Sequence, residues 1–207
     1  MRKRPKGQPN ADVYALRVEC LAEMEQLSEQ GRIDLYYGDQ SGVSLDPPVP
    51  YAWQFADERV AMPAARGGQI NCFALLSRDN RCLAQTTTAT ITGDFVAEQL
   101  DQLSLRLLRP TAVVLDNAPI HHGRAMRQRW DAWQERGLFV FYLPTYSPHL
   151  NIAEVLWRKL KYEWLCPEDY ADAETLHYRV WLALKAVGKS LTIRFSPFRR
   201  RESLNLN

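Results

Sequence analysis

The sequence predicts an α/β fold: a mixed sheet, made of an antiparallel meander continued by parallel strands, with helices on both faces. Two features of element order carry this. Short apolar runs separated by turn residues dominate residues 33–88, and from 92 onward helical-period segments alternate with continuous apolar runs before the chain closes on helices. A third feature is capacity: 207 residues, 46% of them hydrophobic, suffice for one core of ordinary size.

The elements follow in order. Residues 1–10 are basic, carry two prolines and a glycine, and read as a disordered tail. Over 11–30, Val13, Leu16, Cys20, Met24 and Leu27 recur at helical spacing, with Gly31 as the stop. Residues 33–37 form a short strand expected to end at Asp39. Residues 51–55 and 69–77 are further strand candidates, and Asp79, Asn80 and Arg81 make a turn into a strand over 82–88. Thr92, Gly93 and Asp94 open a helix with Val96, Leu100, Leu103 and Leu107 on its apolar side, ended by Pro110. Residues 111–115 are uniformly apolar, as a strand buried on both faces should be, and lead directly to Asp116. A helix from about 123 places Met126, Trp130 and Trp133 on one face and stops at Gly137. A buried strand over 138–143, a loop with two prolines over 144–148, a helix from near Asn151 and a last helix over 171–187 complete the chain.

Composition excludes several classes. No apolar run approaches the roughly 20 residues of a membrane span, and no apolar segment follows the basic start, so neither a membrane protein nor a secretory signal is expected. Cys20, Cys72, Cys82 and Cys166 are widely spaced and form no CxxC pair, which points away from zinc and from a disulfide framework, and toward the cytoplasm. Net charge is only +2, but basic residues cluster at Arg2, Lys3, Arg4 and Lys6, at Arg124, Arg127 and Arg129, at Arg158, Lys159 and Lys161, and at Arg199, Arg200 and Arg201. Any one such cluster is ordinarily a solvated face; several together suit a phosphate backbone.

Three carboxylates are the candidate chemistry. Asp39 and Asp116 each follow an apolar strand, where function collects in open α/β sheets. Taken singly, a loop aspartate in such a place is usually a turn former. Asn151 and Glu154 fit a capping box at a helix start, with the Glu154 side chain returning to the backbone of Asn151. Helical projection separates Ile152, Val155, Leu156, Leu160 and Trp164 from Glu154, Arg158 and Lys161. The polar trio is either an i,i+4 ion pair or a metal-binding carboxylate beside two phosphate contacts. The adjacent His121 and His122 do not easily point at one ion, so a hydrogen-bonding role is expected of them. Trp53, Tyr146, Trp157 and Trp164 are read as core side chains rather than base-stacking platforms.

The phrases VVLDNAPIHHG (113–123) and LPTYSPHLNIAEVLWRKLK (143–161) closely resemble mariner-superfamily transposases of the bacterial insertion-sequence branch, which carry a DDE endonuclease domain. LYYGDQSG (35–42), followed by YAWQF (51–55), is similar to the segment around that family's first aspartate. The likeness covers roughly residues 31–195. It implies an RNase H-like catalytic domain over 31–195, preceded by a basic tail and helical linker over 1–30 and followed by a basic polar tail over 196–207. It implies Asp39, Asp116 and Glu154 as the metal-binding catalytic residues. Gln40, Asn117, His121 and Asn151 would support them, and Arg124, Arg127, Arg158 and Lys161 would contact DNA. Gln40 stands where many members have Glu, and Ile152 where many have proline; neither change removes a metal ligand.

The activity implied is cleavage of transposon-end DNA and strand transfer by the released 3′-OH. Two Mg²⁺ (or Mn²⁺) ions about 3.5–4 Å apart would clamp the phosphate, Asp39 bridging both and Asp116 and Glu154 each holding one. The implied partners are double-stranded DNA, as transposon ends and target, and a homodimer mate. Family members usually carry helix-turn-helix modules ahead of this domain. Their absence here implies a fragment, or the second product of a split frame, working with a separate helix-turn-helix partner. A bacterial cytoplasm, on the chromosome, is the expected location. Two other functions fit the residues: an RNase H-like nuclease that cuts without joining, and a catalytically silent DNA-binding product of a decayed mobile element.

Overall fold

The computed structural model describes residues 11–46 and 68–198. The strand candidate at 51–55 and the position of Trp53 lie outside the described residues. Five strands form one sheet in the order β3-β2-β1-β4-β5. They are β1 (Asp34–Ser44), β2 (Gln69–Leu76), β3 (Cys82–Thr87), β4 (Thr111–Leu115) and β5 (Leu138–Tyr142). The first three pair antiparallel, while β1 with β4 and β4 with β5 pair parallel. Helices α1 (Ala11–Glu29), α2 (Gly93–Ser104), α3 (Arg124–Glu135), α4 (Ala153–Lys159) and α5 (Ala173–Ala186) cover it. Among the described residues no helix is long and apolar enough to cross a membrane.

Side-chain alternation decides which helix meets which face. Tyr36, Phe73, Leu75, Val113 and Leu115 pack with Val96 and Leu100 of α2 and with Met126 and Trp133 of α3. Leu35, Tyr37, Ala112 and Val114 point the other way, onto Tyr14, Val18 and Leu21 of α1 and Ala153 of α4. On that second face, further along the sheet, Cys72, Ala74 and Leu76 meet Leu156 and Trp157 of α4 and Leu176, Val180 and Leu184 of α5. The helix read as a linker at 11–30 thus lies against the sheet.

Two expectations are corrected. First, β1 does not end at Asp39. It runs on to Ser44, because its pairing with β2 continues to Ser44↔Gln69. What stops is the parallel pairing with β4, whose last pair is Tyr37↔Val114. Second, Asn151 and Glu154 form no capping box. The helix begins one residue later, with Ile152 as its N-cap and no side-chain cap. Asn151 keeps a local contact and adds a distant one: its Oδ1 accepts from the Ala153 amide (3.1 Å), and its Nδ2 donates to the Gly38 carbonyl (3.1 Å). The missing half of the box is the return bond: the Asn151 amide donates to the Pro148 carbonyl (2.8 Å), and Glu154 is left exposed.

Beyond Lys159 the helix widens into a π-helical turn, Leu160–Trp164. Gly38 itself is crowded. A Cβ there would lie 2.5 Å from Leu115 Cδ2 and 3.0 Å from Leu75 Cδ2, so glycine lets β1 pass between its neighbours.

Asn151→Ala would leave a buried carbonyl and a buried amide without partners. It should lower stability by about 2–4 kcal/mol, from the usual cost of such orphaned groups, as read by urea titration. A loss below about 0.5 kcal/mol, the scale of an ordinary surface change, would mean that α4 does not depend on this seam with β1.

Candidate active site

Alternation brings the carboxylates together. Two positions beyond the last parallel pair, Tyr37↔Val114, stand Asp39 on β1 and Asp116 just past β4. Both therefore share the face of Tyr37 and Val114, which is the face α4 covers. Glu154 sits in the first turn of α4. All three line one cavity of about 380 Å³, together with Asn117, Ala118, Tyr146, Asn151 and the 143–148 loop. They line it without closing on a point. Among the described residues no three His, Cys, Asp or Glu side chains are gathered tightly enough to hold an ion as they stand.

The two aspartates are electrostatically unlike. Asp39 is 9% exposed. Burial first, then the negative charges of Glu154 and Asp116, raise its pKa from 3.8 to about 6, against hydrogen bonds from the Gln40 amide and the Trp157 indole. That indole is 4% exposed, and its Nε1 donates to Asp39 Oδ2 at 2.9 Å. Asp116 is shifted down, chiefly by its hydrogen bond to His121, with smaller help from the Ala118 amide and from the charge of the two histidines. His121 is 1% exposed, and its Nδ1 lies 2.8 Å from Asp116 Oδ1 and 3.2 Å from the Asp116 carbonyl. Facing two acceptors, Nδ1 carries the hydrogen. Nε2 has no partner among the described residues.

The remaining sequence-predicted residues divide. Asn117 lines the cavity and fastens the two strand ends: its Nδ2 donates to the Leu143 carbonyl, and its Oδ1 meets His122 Nε2 at 3.2 Å. Gln40 reaches Asp39 only through its backbone amide; its side chain is not among the cavity walls, as alternation requires. Arg124 and Arg127 stand exposed on α3 and Arg158 exposed on α4, and none lines the cavity. Lys161, in the π turn, donates to Ser41 Oγ at 2.7 Å, two residues past Asp39.

Trp157 was read only as core; its indole N–H is a site contact that hydrophobic periodicity does not reveal. Tyr146 was also read as core and is not. It is 64% exposed at the cavity wall.

The signature of the family described as DDE superfamily endonuclease matches residues 34–177, a span that includes Asp39, Asp116 and Glu154. No curated protein matches the chain. Among solved structures, the fold is similar to that of a "Mos1 transposase paired-end complex with left transposon end" (TM-score 0.58, 15% identity, 99% of this chain and 66% of that one). It is also similar to the Mos1 mariner paired end complex with Mn (0.55, 16%, 92% and 64%). A third likeness is to the catalytic domain of Mos1 mariner transposase (0.51, 13%, 91% and 98%). The chain thus spans under two thirds of the length of the Mos1 chains in the two complexes, and nearly all of the isolated catalytic domain. These likenesses establish the RNase H-like fold of transposase catalytic cores.

A folded-state pKa raised for a carboxylate means that the native state holds its proton more tightly than the unfolded one. Native stability is therefore fullest below 3.8 and declines as pH rises through about 6. The cost at neutral pH is on the order of 3 kcal/mol in the absence of metal. Asp39→Asn does not titrate. In EDTA, its stability relative to the native sequence should climb as pH goes from about 4 to about 7. A pH-independent difference in melting temperature would contradict the burial of an uncompensated charge.

Proposed function

The chain belongs to the DDE superfamily of endonucleases, and on that premise we propose that it is a transposase catalytic domain of the bacterial insertion-sequence branch of the mariner superfamily. It would cut phosphodiesters at transposon ends and join the 3′-OH to target DNA. One observation carries the reading: carboxylates from β1, from the end of β4 and from the first turn of α4 line a single cavity.

The residues fit a pair of divalent cations. The donors are carboxylate oxygens, the hard ligands that Mg²⁺ and Mn²⁺ take. The raised Asp39 carboxyl marks a place short of positive charge. Asp39, Asp116 and Glu154 would hold the ions, and bound ions supply the charge that stabilises the attacking and leaving oxygens of an in-line displacement at phosphorus. The rest is the work of the chain's own groups. Trp157 fixes one oxygen of Asp39. His121, donating from Nδ1, and the Ala118 amide fix one oxygen of Asp116. Asn117 keeps the ends of β4 and β5 together beneath them. Arg124, Arg127, Arg158 and Lys161 contact phosphates away from the reacting one, giving affinity without base readout. End selection then needs base readout by a helix-turn-helix module and pairing of two copies on the two ends.

Two measurements check this. Asp116→Asn should keep the fold, by circular dichroism, and abolish Mg²⁺-dependent nicking of supercoiled plasmid; Asp46→Asn, at an exposed site outside the cavity, should not. Undiminished nicking by Asp116→Asn would remove the assignment. Joining of a labelled 3′-OH end to plasmid separates a transposase from a nuclease that only cuts. In gel-shift titrations, raising salt from about 50 to about 200 mM should weaken DNA binding by at least about tenfold, if two or three phosphates are neutralised. Salt-resistant, end-specific binding would place a base-reading surface in this chain.

A further inference from the structure

Tyr146 lines the carboxylate cavity, and the chemistry above gives it nothing to do. Its backbone is left-handed, with φ at +59°. Among the described non-glycine residues only Asn80, at +65°, shares that region. Asparagine tolerates it; for a bulky aromatic it is a strained outlier. Packing does not repay the strain. The side chain is 64% exposed, and among the described residues its ring meets no other ring and its hydroxyl has no hydrogen-bond partner.

The loop around it is nonetheless anchored. The Leu143 amide donates to the Leu115 carbonyl (2.9 Å), and the Leu150 amide to the carbonyl of Ser147 (3.1 Å). Ser147 is itself buried, and its hydroxyl donates to the Thr145 carbonyl (3.3 Å). Pro144 and Pro148 limit the loop further. A fixed frame thus holds a bare aromatic face outward at the wall of a cavity lined by three carboxylates. Strain of this kind concentrates at ligand clamps, where the ligand makes the missing contact.

We propose that Tyr146 is a stacking platform for an unpaired nucleobase flanking the phosphate that the cavity holds. The inference rests on the phosphoryl-transfer reading above and extends it to the conformation of the DNA. A base stacked within a duplex offers its faces only to its neighbours, so the base meeting Tyr146 must be splayed out of the stack. An aromatic ring accepts any base on its face, which suits contact without sequence preference.

The test uses the full chain in EDTA and two labelled probes: a blunt duplex, and the same duplex carrying a short single-stranded overhang. A stacked base contributes enough for about a tenfold preference for the overhang probe. Tyr146→Ala should erase that preference, and Tyr146→Phe should keep it. Equal affinity of the native chain for both probes would overturn the proposal. So would an equal loss on both probes in Tyr146→Ala, or loss of the preference in Tyr146→Phe, which would assign the contact to the hydroxyl. Tyr146→Gly gives a second readout. Glycine adopts this backbone without strain, so the melting temperature should rise by about 2–4 °C; a fall would show that the ring is packed structurally and would overturn the proposal too. Mg²⁺-dependent nicking without an overhang preference removes the proposal alone, whereas neither nicking nor binding of either probe removes the reading beneath it.

Discussion

The seam between β1 and α4 is the constraint on which the site depends. Two hydrogen bonds close it, from Asn151 Nδ2 to the Gly38 carbonyl and from the Trp157 indole to Asp39 Oδ2. One fixes where the helix begins, and the other fixes the carboxylate that the strand presents. Together they set Glu154 over the point where β4 has ended and β1 continues. The glycine at 38 belongs to the same device. It lets β1 pass under Leu115 and Leu75, so the residue after it can face the helix.

Much of this was legible because it is local or periodic. The buried strand over 111–115, the helix of Met126 and Trp133, and the stop at Gly137, whose φ is +88°, follow from hydrophobic pattern and backbone chemistry. The strand over 138–142 is also where the pattern puts it, but it was expected to be buried and is not: it closes the edge of the sheet, with Leu138 buried and Phe139 46% exposed. Period-two alternation also explains why Asp39 and Asp116 share a face once the strands are in register. What escaped was set by partners distant in sequence. The length of β1 is decided by β2, whose register carries it five residues past Asp39 to Ser44. Asn151 has the right neighbours for a capping box, yet its amide is drawn to Gly38, more than a hundred positions away. Trp157 and Tyr146 are both aromatic residues, and composition does not say that one would donate to a carboxylate while the other stands in solvent.

The opposite shifts of the two aspartates give the site its character. Asp116 has a donor in His121 and remains a carboxylate with little cost. Asp39 is buried beside two further negative charges, and its pKa is pushed up to about 6, so its ionised form is costly. The pair therefore combines an anchored anion with one whose ionisation is favoured when positive charge enters the cavity. Cation binding would offset the electrostatic cost of such an arrangement, the usual logic of clustered carboxylates around hard metals. Tyr146 repeats that logic in the backbone, with strain at the cavity wall and an aromatic face left without a contact.

The claim that these three carboxylates are a metal-dependent nuclease centre is tested most directly by crystals of the chain soaked in Mn²⁺ and examined by anomalous scattering. Manganese peaks inside the cavity, liganded by Asp39, Asp116 and Glu154, are the result the account predicts. Manganese bound elsewhere on the chain, with the three carboxylates still apart, would contradict it.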